Sequence, residues 1–369
     1  MTAIHEARFW EAHGSAVECT LCPHRCKVHD RGRGACAVRY AEHGKLWTLV
    51  YDKVVARHVE PIEKKPFFHF MPGSMAYSVG TVGCSLRCAF CQNWEISQWP
   101  KDHLPASEDD VAPVVCPTLT TFEHTIPGEP VTADELVVGA IASGARSIAY
   151  TYTEPTVFYE LAYDTAVRAK ERGLKNLFVT NGFISEAPQR ELAKVLDAAN
   201  VDLKFFREES YRKVSRCSMK PILDAIGLYK ALGVWVEVTT LVVPGLNDSD
   251  AELRGIAEFV ASVGRDVPWH VSQFYPAYKM VDAPATPVAT LRRAADIGRA
   301  AGLRWVYEGN VPGERGEQTR CWKCDALLID RYGFFVRMNR VENGACPDCG
   351  ATVDGVIMQG VAPRRSVPG

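Results

Sequence analysis

Net charge is nearly absent from this sequence. Its 42 Lys and Arg against 44 Asp and Glu leave a formal −2 over 369 residues, with a pI near 6.6. The basic excess that marks bulk nucleic-acid or membrane-surface binding is therefore missing, and nucleic acid is not an expected partner. Also missing is an apolar run approaching the ~18 residues of a membrane span. The opening stretch, Met1-Thr2-Ala3-Ile4-His5-Glu6-Ala7-Arg8, has no apolar core of a secretion signal. The expected location is cytoplasmic, with no membrane partner. There is no low-complexity tract. A hydrophobic content of 47% and a charged content of 23% are those of a soluble globular chain. The length suits one large barrel-type domain with appendages.

Cysteine, by contrast, is abundant: thirteen residues. In a reducing compartment clustered cysteines read as metal sites rather than disulfides. Cys116 and Cys217 stand alone and read as small buried or loop residues. The other eleven form three groups. The central one, Cys84, Cys88 and Cys91, follows the strand-like run Ala76-Tyr77-Ser78-Val79-Gly80-Thr81-Val82-Gly83 with C-x3-C-x2-C spacing. Three thiolates on one loop can hold three irons of a [4Fe-4S] cluster, whose cubane normally takes four protein sulfurs. The fourth iron is then open, and an open metal position marks catalytic rather than structural sites. The competing reading is a zinc knuckle or a chance triplet.

From about 75 to 310, apolar runs alternate with amphipathic stretches. Strands are expected at 75–82, 146–152, 175–180, 200–206, 234–242 and 267–274, with a short seventh at Trp305-Val306-Tyr307. Helices are expected near 132–143, 156–172, 187–198, 218–232, 249–263 and 288–301. Gly144, Gly173, Gly233, Gly264 and Gly302 stand where C-cap glycines belong. Such alternation implies a parallel sheet with crossover helices. The expected fold class is α/β, an open, partial (β/α)6 TIM-type barrel. The expected domains are a cysteine-rich N-terminal extension (1–70), the barrel (71–312) with an insertion at 100–131, a four-cysteine ribbon-like module (313–360) and a frayed tail (361–369). Strands are expected in the extension near Leu46-Trp47-Thr48-Leu49-Val50-Tyr51 and Lys53-Val54-Val55-Ala56. The insertion holds six prolines and no clear period, and reads as a long loop.

Sites in barrels lie at the carboxyl ends of the strands. Polar residues follow each strand: Thr153-Glu154-Pro155 opening a helix, Thr180-Asn181-Gly182 in a tight turn, and Asp202 and Lys204 on one face. An inward Asp202–Lys204 pair is either part of a site or an ordinary buried ion pair. His270 shares a strand face with Ser272 and Phe274, and is either a ligand contact or a satisfied core histidine. Glu237 and Thr239 can face inward too.

The series Cys84…Cys91-Gln92-Asn93-Trp94, Tyr152-Thr153-Glu154-Pro155, Thr180-Asn181-Gly182, Asp202-Leu203-Lys204 and Trp269-His270 resembles the radical S-adenosylmethionine (SAM) superfamily, in particular the activating enzymes of pyruvate formate-lyase. With Cys19-Thr20-Leu21-Cys22-Pro23-His24-Arg25-Cys26, Tyr307-Glu308-Gly309-Asn310-Val311 and the C-terminal cysteine pairs, it looks most similar to the branch called the AmmeMemoRadiSam system radical SAM enzyme. The resemblance implies that Cys84, Cys88 and Cys91 ligate a [4Fe-4S] cluster and that SAM binds its open iron. Phe90 would present backbone to adenine, and Thr153 and Glu154 would stand at the strand end that binds the SAM amino group. Asn181, Asp202, Lys204 and His270 would contact carboxylate or ribose. The family's glycines before that glutamate are absent here, and Val179 stands where activating enzymes often carry an acid.

Two groups of cysteines flank the barrel. Cys321-x2-Cys324 and Cys346-x2-Cys349, joined by a hairpin turning near Arg331–Gly333, read as a zinc ribbon, zinc being favoured over an auxiliary cluster. Cys19, Cys22, Cys26 and Cys36 have irregular spacing, with His24 and His29 as alternative ligands, and suit zinc or a second iron-sulfur cluster equally.

The expected function is therefore a radical SAM oxidoreductase. It would cleave SAM reductively to a 5′-deoxyadenosyl radical and abstract hydrogen from a substrate that the sequence does not identify. A glycyl-radical activase-like reaction on a protein is one version. An electron donor of flavodoxin or ferredoxin type is implied. The alternatives are an iron-sulfur or zinc carrier or scaffold without SAM turnover and, more weakly, an RNA-modifying radical enzyme with the ribbon as reader.

Overall fold

The computed structural model describes residues 5–103, 125–311 and 313–358. Cys116, most of the 100–131 insertion and the 361–369 tail lie outside the described residues.

The apolar runs become one eight-stranded sheet whose strands follow one another in chain order. They are β1 (Ala56–Pro61), β2 (Met75–Gly80), β3 (Ser147–Tyr150), β4 (Lys175–Thr180), β5 (Ala198–Asp202), β6 (Trp235–Val242), β7 (Trp269–Gln273) and β8 (Val306–Gly309). Strands β2 to β8 are parallel, and β1 adds antiparallel to β2. The sheet is open, with β1 and β8 at its edges. Six helices make the crossovers: α1 (Ala133–Ala142), α2 (Tyr159–Glu171), α3 (Glu186–Leu192), α4 (Lys220–Ala231), α5 (Asp250–Val263) and α6 (Val288–Ala300). Among the described residues no helix is long and apolar enough to cross a membrane.

Local chemistry explains the boundaries. Thr132 and Glu135 form a reciprocal capping box at the start of α1, and Ser249 caps α5. Such caps contribute about 1 kcal/mol each. Gly144, Gly173, Gly233 and Gly302 end their helices with positive φ, as expected. Gly264 does not: its φ of 170° is extended backbone, and α5 ends without a left-handed cap. Helix α3 stops at Leu192 rather than 198, because the chain must turn and enter β5 at Ala198. Strand β5 starts two residues early and ends at Asp202.

Residues 56–61, grouped with the N-terminal extension in the sequence reading, run in the main sheet as β1. Most of the rest of the extension forms two three-stranded antiparallel sheets, and Lys53–Val54 pairs with Glu129–Pro130. They are tied to the main α/β unit by a buried ion pair in which Arg39 Nη2 reaches both oxygens of Glu160 on α2, at 2.7 and 2.9 Å. The segment between β1 and β2 tucks Phe67, Phe68, His69 and Phe70 beneath the sheet. The C-terminal module packs there too: Val356 pairs with Phe70, and Arg331 lies 4.2 Å over the Phe68 ring. Its hairpin, Leu327–Tyr332 with Phe335–Asn339, turns at Gly333, as expected.

Candidate functional site

Strand β2 ends at Gly80, and the chain then loops through Cys84, Cys88 and Cys91. Each thiol has a partner. The Leu86 N–H points at Cys84 Sγ at 3.4 Å, Cys88 Sγ lies 3.3 Å from Ser215 Oγ, and Cys91 Sγ lies 3.2 Å from Ser97 Oγ. Burial pushes Cys84 up to about 12 and raises Cys88, while the cations Lys101 and Lys204 pull the other way. All three cysteines are free.

The TNG turn after β4 faces this loop. Asn181 Nδ2 lies 3.7 Å from Cys84 Sγ and donates to Ser85 Oγ at 3.2 Å. Lys204 Nζ donates to Asp202 at 2.7 Å and lies 6.0 Å from the Phe90 ring centre. Burial alone would lower Lys204, but the charges of Asp202 and Cys88 hold it well above its ordinary range. Asp202 remains 37% exposed, so the pair opens toward solvent rather than sealing itself in. The structure thus brings Cys84, Cys88, Cys91, Phe90, Asn181, Asp202 and Lys204 together.

Thr153 and Glu154 are both hydrogen-bonded within the protein. Glu154 is 1% exposed and its oxygens are occupied. One accepts from Thr156 N–H, Thr156 Oγ1 and Thr180 Oγ1, the other from Asn181 N–H at 2.7 Å. Burial outweighs these bonds and raises its pKa. The carboxylate therefore holds the Asn181 turn in place. Thr153 Oγ1 donates to the Thr81 carbonyl and ties this turn to the end of β2. The turn lies so close to the first strand that a Cβ on Gly80 would meet the Thr151 carbonyl at 2.7 Å, so β2 needs glycine there.

His270 lies in another cluster. Its Nε2 pairs with Glu237 at 2.7 Å, and its ring stacks on Tyr307 and meets the edge of Phe68. Glu237 also accepts from the N–H groups of Phe68 and His69 and from Trp235 Nε1. No described contact joins His270 to the cysteine loop. As the second residue of β7 it sits near the amino end of its strand, where the 67–70 segment fills the space.

Sequence reasoning missed Lys101, Ser97 and Ser215. Lys101 Nζ donates to the Leu86 carbonyl at 2.6 Å, inside the cysteine loop. Burial lowers its pKa, while Cys84, Cys36 and Cys88 raise it. Its position at the edge of a proline-rich insertion gave no signal.

The C-terminal cysteines close tightly. Cys321 and Cys349 lie 3.6 Å apart, Cys324 and Cys346 3.7 Å apart, and all four sulfurs lie within 4.8 Å of one another. Four thiolates around one tetrahedral ion with bonds of about 2.3 Å stand roughly 3.8 Å apart, so one metal ion fits. Burial opposes ionisation of Cys321, but the N–H groups of Cys324 and Lys323 bring it down to about 7. Among the described residues no other group of three or more potential ligands closes to 4.8 Å. A cavity of about 940 Å³ lies elsewhere, between α6, β8 and the ribbon, and is lined by Arg265, Arg299, Arg304 and Trp322 among others. It touches none of Cys84, Cys88 and Cys91 and is not the candidate site.

A model of the radical SAM superfamily matches residues 78–260 of this chain. An uncharacterized protein of Methanocaldococcus jannaschii is 41% identical over 358 residues, which is 96% of this chain and all of that protein. A second protein of that organism, whose name assigns it provisionally as a glycyl-radical enzyme activating enzyme, is 29% identical over 148 residues, 39% of this chain and 56% of that one. Among solved structures, a domain of a pyruvate-formate lyase-activating enzyme from Bacteroides vulgatus shows 17% identity and a TM-score of 0.39, covering 44% of this chain and 99% of that one. A radical SAM methyltransferase from Sphaerobacter thermophilus shows 18% identity and a TM-score of 0.45, covering 66% and 68%.

Proposed function

We propose that this chain, which belongs to the radical SAM superfamily, cleaves SAM reductively at the mouth of a partial (β/α)6 barrel and abstracts hydrogen from a substrate. The observation that carries this is the loop of three free thiols after β2, with the Asn181 amide at 3.7 Å from the Cys84 sulfur. Cys84, Cys88 and Cys91 would hold three irons of a [4Fe-4S] cluster. Such a cluster would supply the electron for reductive SAM cleavage.

The chain's own residues position and shield. Glu154 fixes the Asn181 turn, and the Asn181 amide orients the loop and the ligand's polar end. Lys204 and Asp202 offer a cation and a carboxylate to the SAM carboxylate and ribose. Phe90 packs beneath Lys204 and keeps water from the loop. Lys101 balances thiolate charge from inside the loop. The part-length likeness to a protein named for glycyl-radical enzyme activation supports an activase-like version, in which the substrate is a backbone glycine of a partner protein. A low-potential flavodoxin- or ferredoxin-like carrier would supply electrons. The C-terminal four would hold zinc as a structural ion. The free thiols suit a reducing, cytoplasmic compartment.

The test is anaerobic: reduce the iron-loaded protein, add SAM and quantify 5′-deoxyadenosine. Formation well above a Cys84→Ala control is expected. Equal, background-level product from both proteins would overturn the reading in favour of a carrier.

A further inference from the structure

We propose that the arginine-lined groove between α6, β8 and the ribbon docks an extended, acidic segment of a partner protein, which adds to the free edge of β8 as a further strand. This rests on the groove and the sheet edge, and on no part of the radical SAM reading.

The groove concentrates a charge that the chain as a whole lacks. Seven of its lining residues are Lys or Arg and three are acids, Glu308, Glu314 and Asp325, in a chain of formal charge −2. Two of those acids are engaged: Glu314 pairs with Arg292 at 2.8 Å, and Asp325 with Arg320 at 3.5 Å. Among the described residues Arg265, Arg315 and Lys323 have no acidic partner, the Arg265 guanidinium bonding the Gly302 carbonyl at 2.8 Å. The pairs made by Arg292, Arg299 and Arg320 are exposed, of the kind worth little in water. Their guanidinium groups can therefore turn to a carboxylate brought by a partner.

One wall of the groove is an open sheet edge. The Trp269 N–H bonds the Trp305 carbonyl at 3.0 Å, so the odd-numbered residues along this edge turn their peptide groups to β7. Val306 and Glu308 turn theirs outward. The Glu308 N–H meets the Gly316 carbonyl at 3.1 Å, whereas no described backbone group meets the Val306 N–H or carbonyl on that side. Unpaired edge groups are a template for another strand, and main-chain bonds to such an edge hold extended peptides.

The facing wall belongs to the ribbon. Trp322, between Cys321 and Cys324, is 44% exposed and donates through Nε1 to the Thr352 carbonyl at 2.9 Å. The Arg304 guanidinium lies 4.8 Å from its ring centre and is held in turn by Asp354 at 3.0 Å. Single-stranded nucleic acid binds by stacking bases on aromatic faces, and here a cation already covers the exposed indole. The acids set among the cations also oppose a backbone charged at every unit. An extended peptide turns alternate side chains the same way, so acids at every second position can reach the arginines while the backbone pairs with Val306.

The test measures fluorescence anisotropy of a labelled short peptide of alternating Glu and Val against the full-length protein. Saturable binding that weakens as salt rises is expected. The Arg265→Glu/Arg315→Glu/Lys323→Glu protein should bind about tenfold more weakly, since like charges then face each other. If that variant does not fold, Arg315→Glu/Lys323→Glu, whose side chains make no described bond, reads the same loss. Methylating one alternate set of peptide nitrogens should cost about tenfold and methylating the other set little, because only one edge of an added strand pairs. No saturable binding, or binding indifferent to charge reversal, overturns the proposal. Equal effects of the two methylations overturn the strand addition. Equal or tighter binding of an oligouridylate of matching charge assigns the groove to nucleic acid instead. A wild-type dimer that the charge reversal dissolves assigns it to a second copy of this chain, and either result overturns the proposal.

Discussion

At the carboxyl ends of the strands Glu154 collects four donors, all neutral: two backbone N–H groups and two threonine hydroxyls. Near the amino ends Glu237 collects four as well, but one is the His270 ring and another is the N–H of His69, whose own ring lies close by. Both glutamates are buried. Burial raises the first. It would raise the second too, but the two imidazoles and the Phe68 N–H outweigh it and leave Glu237 below its ordinary range. One carboxylate holds a turn whose Asn181 amide reaches the cysteine loop at Cys84 and Ser85. The other locks a floor in which His69, Tyr307, Thr319 and Asp354 continue the bonding. A buried acid next to a site is thus not thereby part of its chemistry; what it leaves unpaired around it decides.

Glu154→Gln should break the comparison most. Each Glu154 oxygen takes one backbone N–H, so the new amide must turn its own N–H₂ toward one of them. The Asn181 turn would shift, and SAM cleavage should fall about 100-fold, since misplacing a positioning group by ~1 Å has that effect. The thermal midpoint should drop modestly. Unchanged 5′-deoxyadenosine output from a folded variant would show that the turn does not depend on this acid.

Glu237→Gln should do the reverse. The new amide must turn its own N–H₂ toward donors that Glu237 now satisfies, and each buried donor left unpaired costs about 1–3 kcal/mol, so denaturant unfolding should report a clear loss of stability. Cleavage per folded molecule should stay within a few-fold of wild type. A selective loss of cleavage would move the floor into the catalytic machinery.

The smallest effect concerns pH. Burial brings His69 down to about 4, with Glu237 pulling the other way. It is neutral in the folded protein, whereas an unfolded histidine titrates near 6.5. Between those values the unfolded chain binds more protons, so stability falls as pH drops from about 6.5 toward 4, by about 3 kcal/mol. Glu237, depressed when folded, loses its contribution in the same direction at the acid end. His69→Gln should flatten the midpoint-versus-pH curve across that window. An unaltered slope would assign the acid sensitivity to other groups.

The strands and helices were legible because each carries its own period and its own glycine or cap. The cysteine triplet, Asn181 and the Asp202–Lys204 pair were legible because their partners lie a few residues away or at neighbouring strand ends. The role of Glu154 was not, since a glutamate at a strand end reads the same whether it faces inward to the turn or outward to a ligand. The choice between the two readings of His270 was not legible for a related reason. A strand residue's face can be read from alternation, but its depth depends on Phe68 and Glu237, which lie far off in the chain. Lys101 and Ser215 carry no motif at all.

The floor has a consequence for synthesis. His69 Nδ1 bonds the carbonyl of Asp354, 285 residues later, at 2.5 Å. Domains generally fold in the order in which they leave the ribosome, so the extension, cysteine loop and parallel strands are made while their floor still lacks its last partner. Only when the ribbon emerges can the underside of the sheet be covered. Nascent chains are therefore open from below until the end of translation, and a chain stopped short of Asp354 would keep that opening.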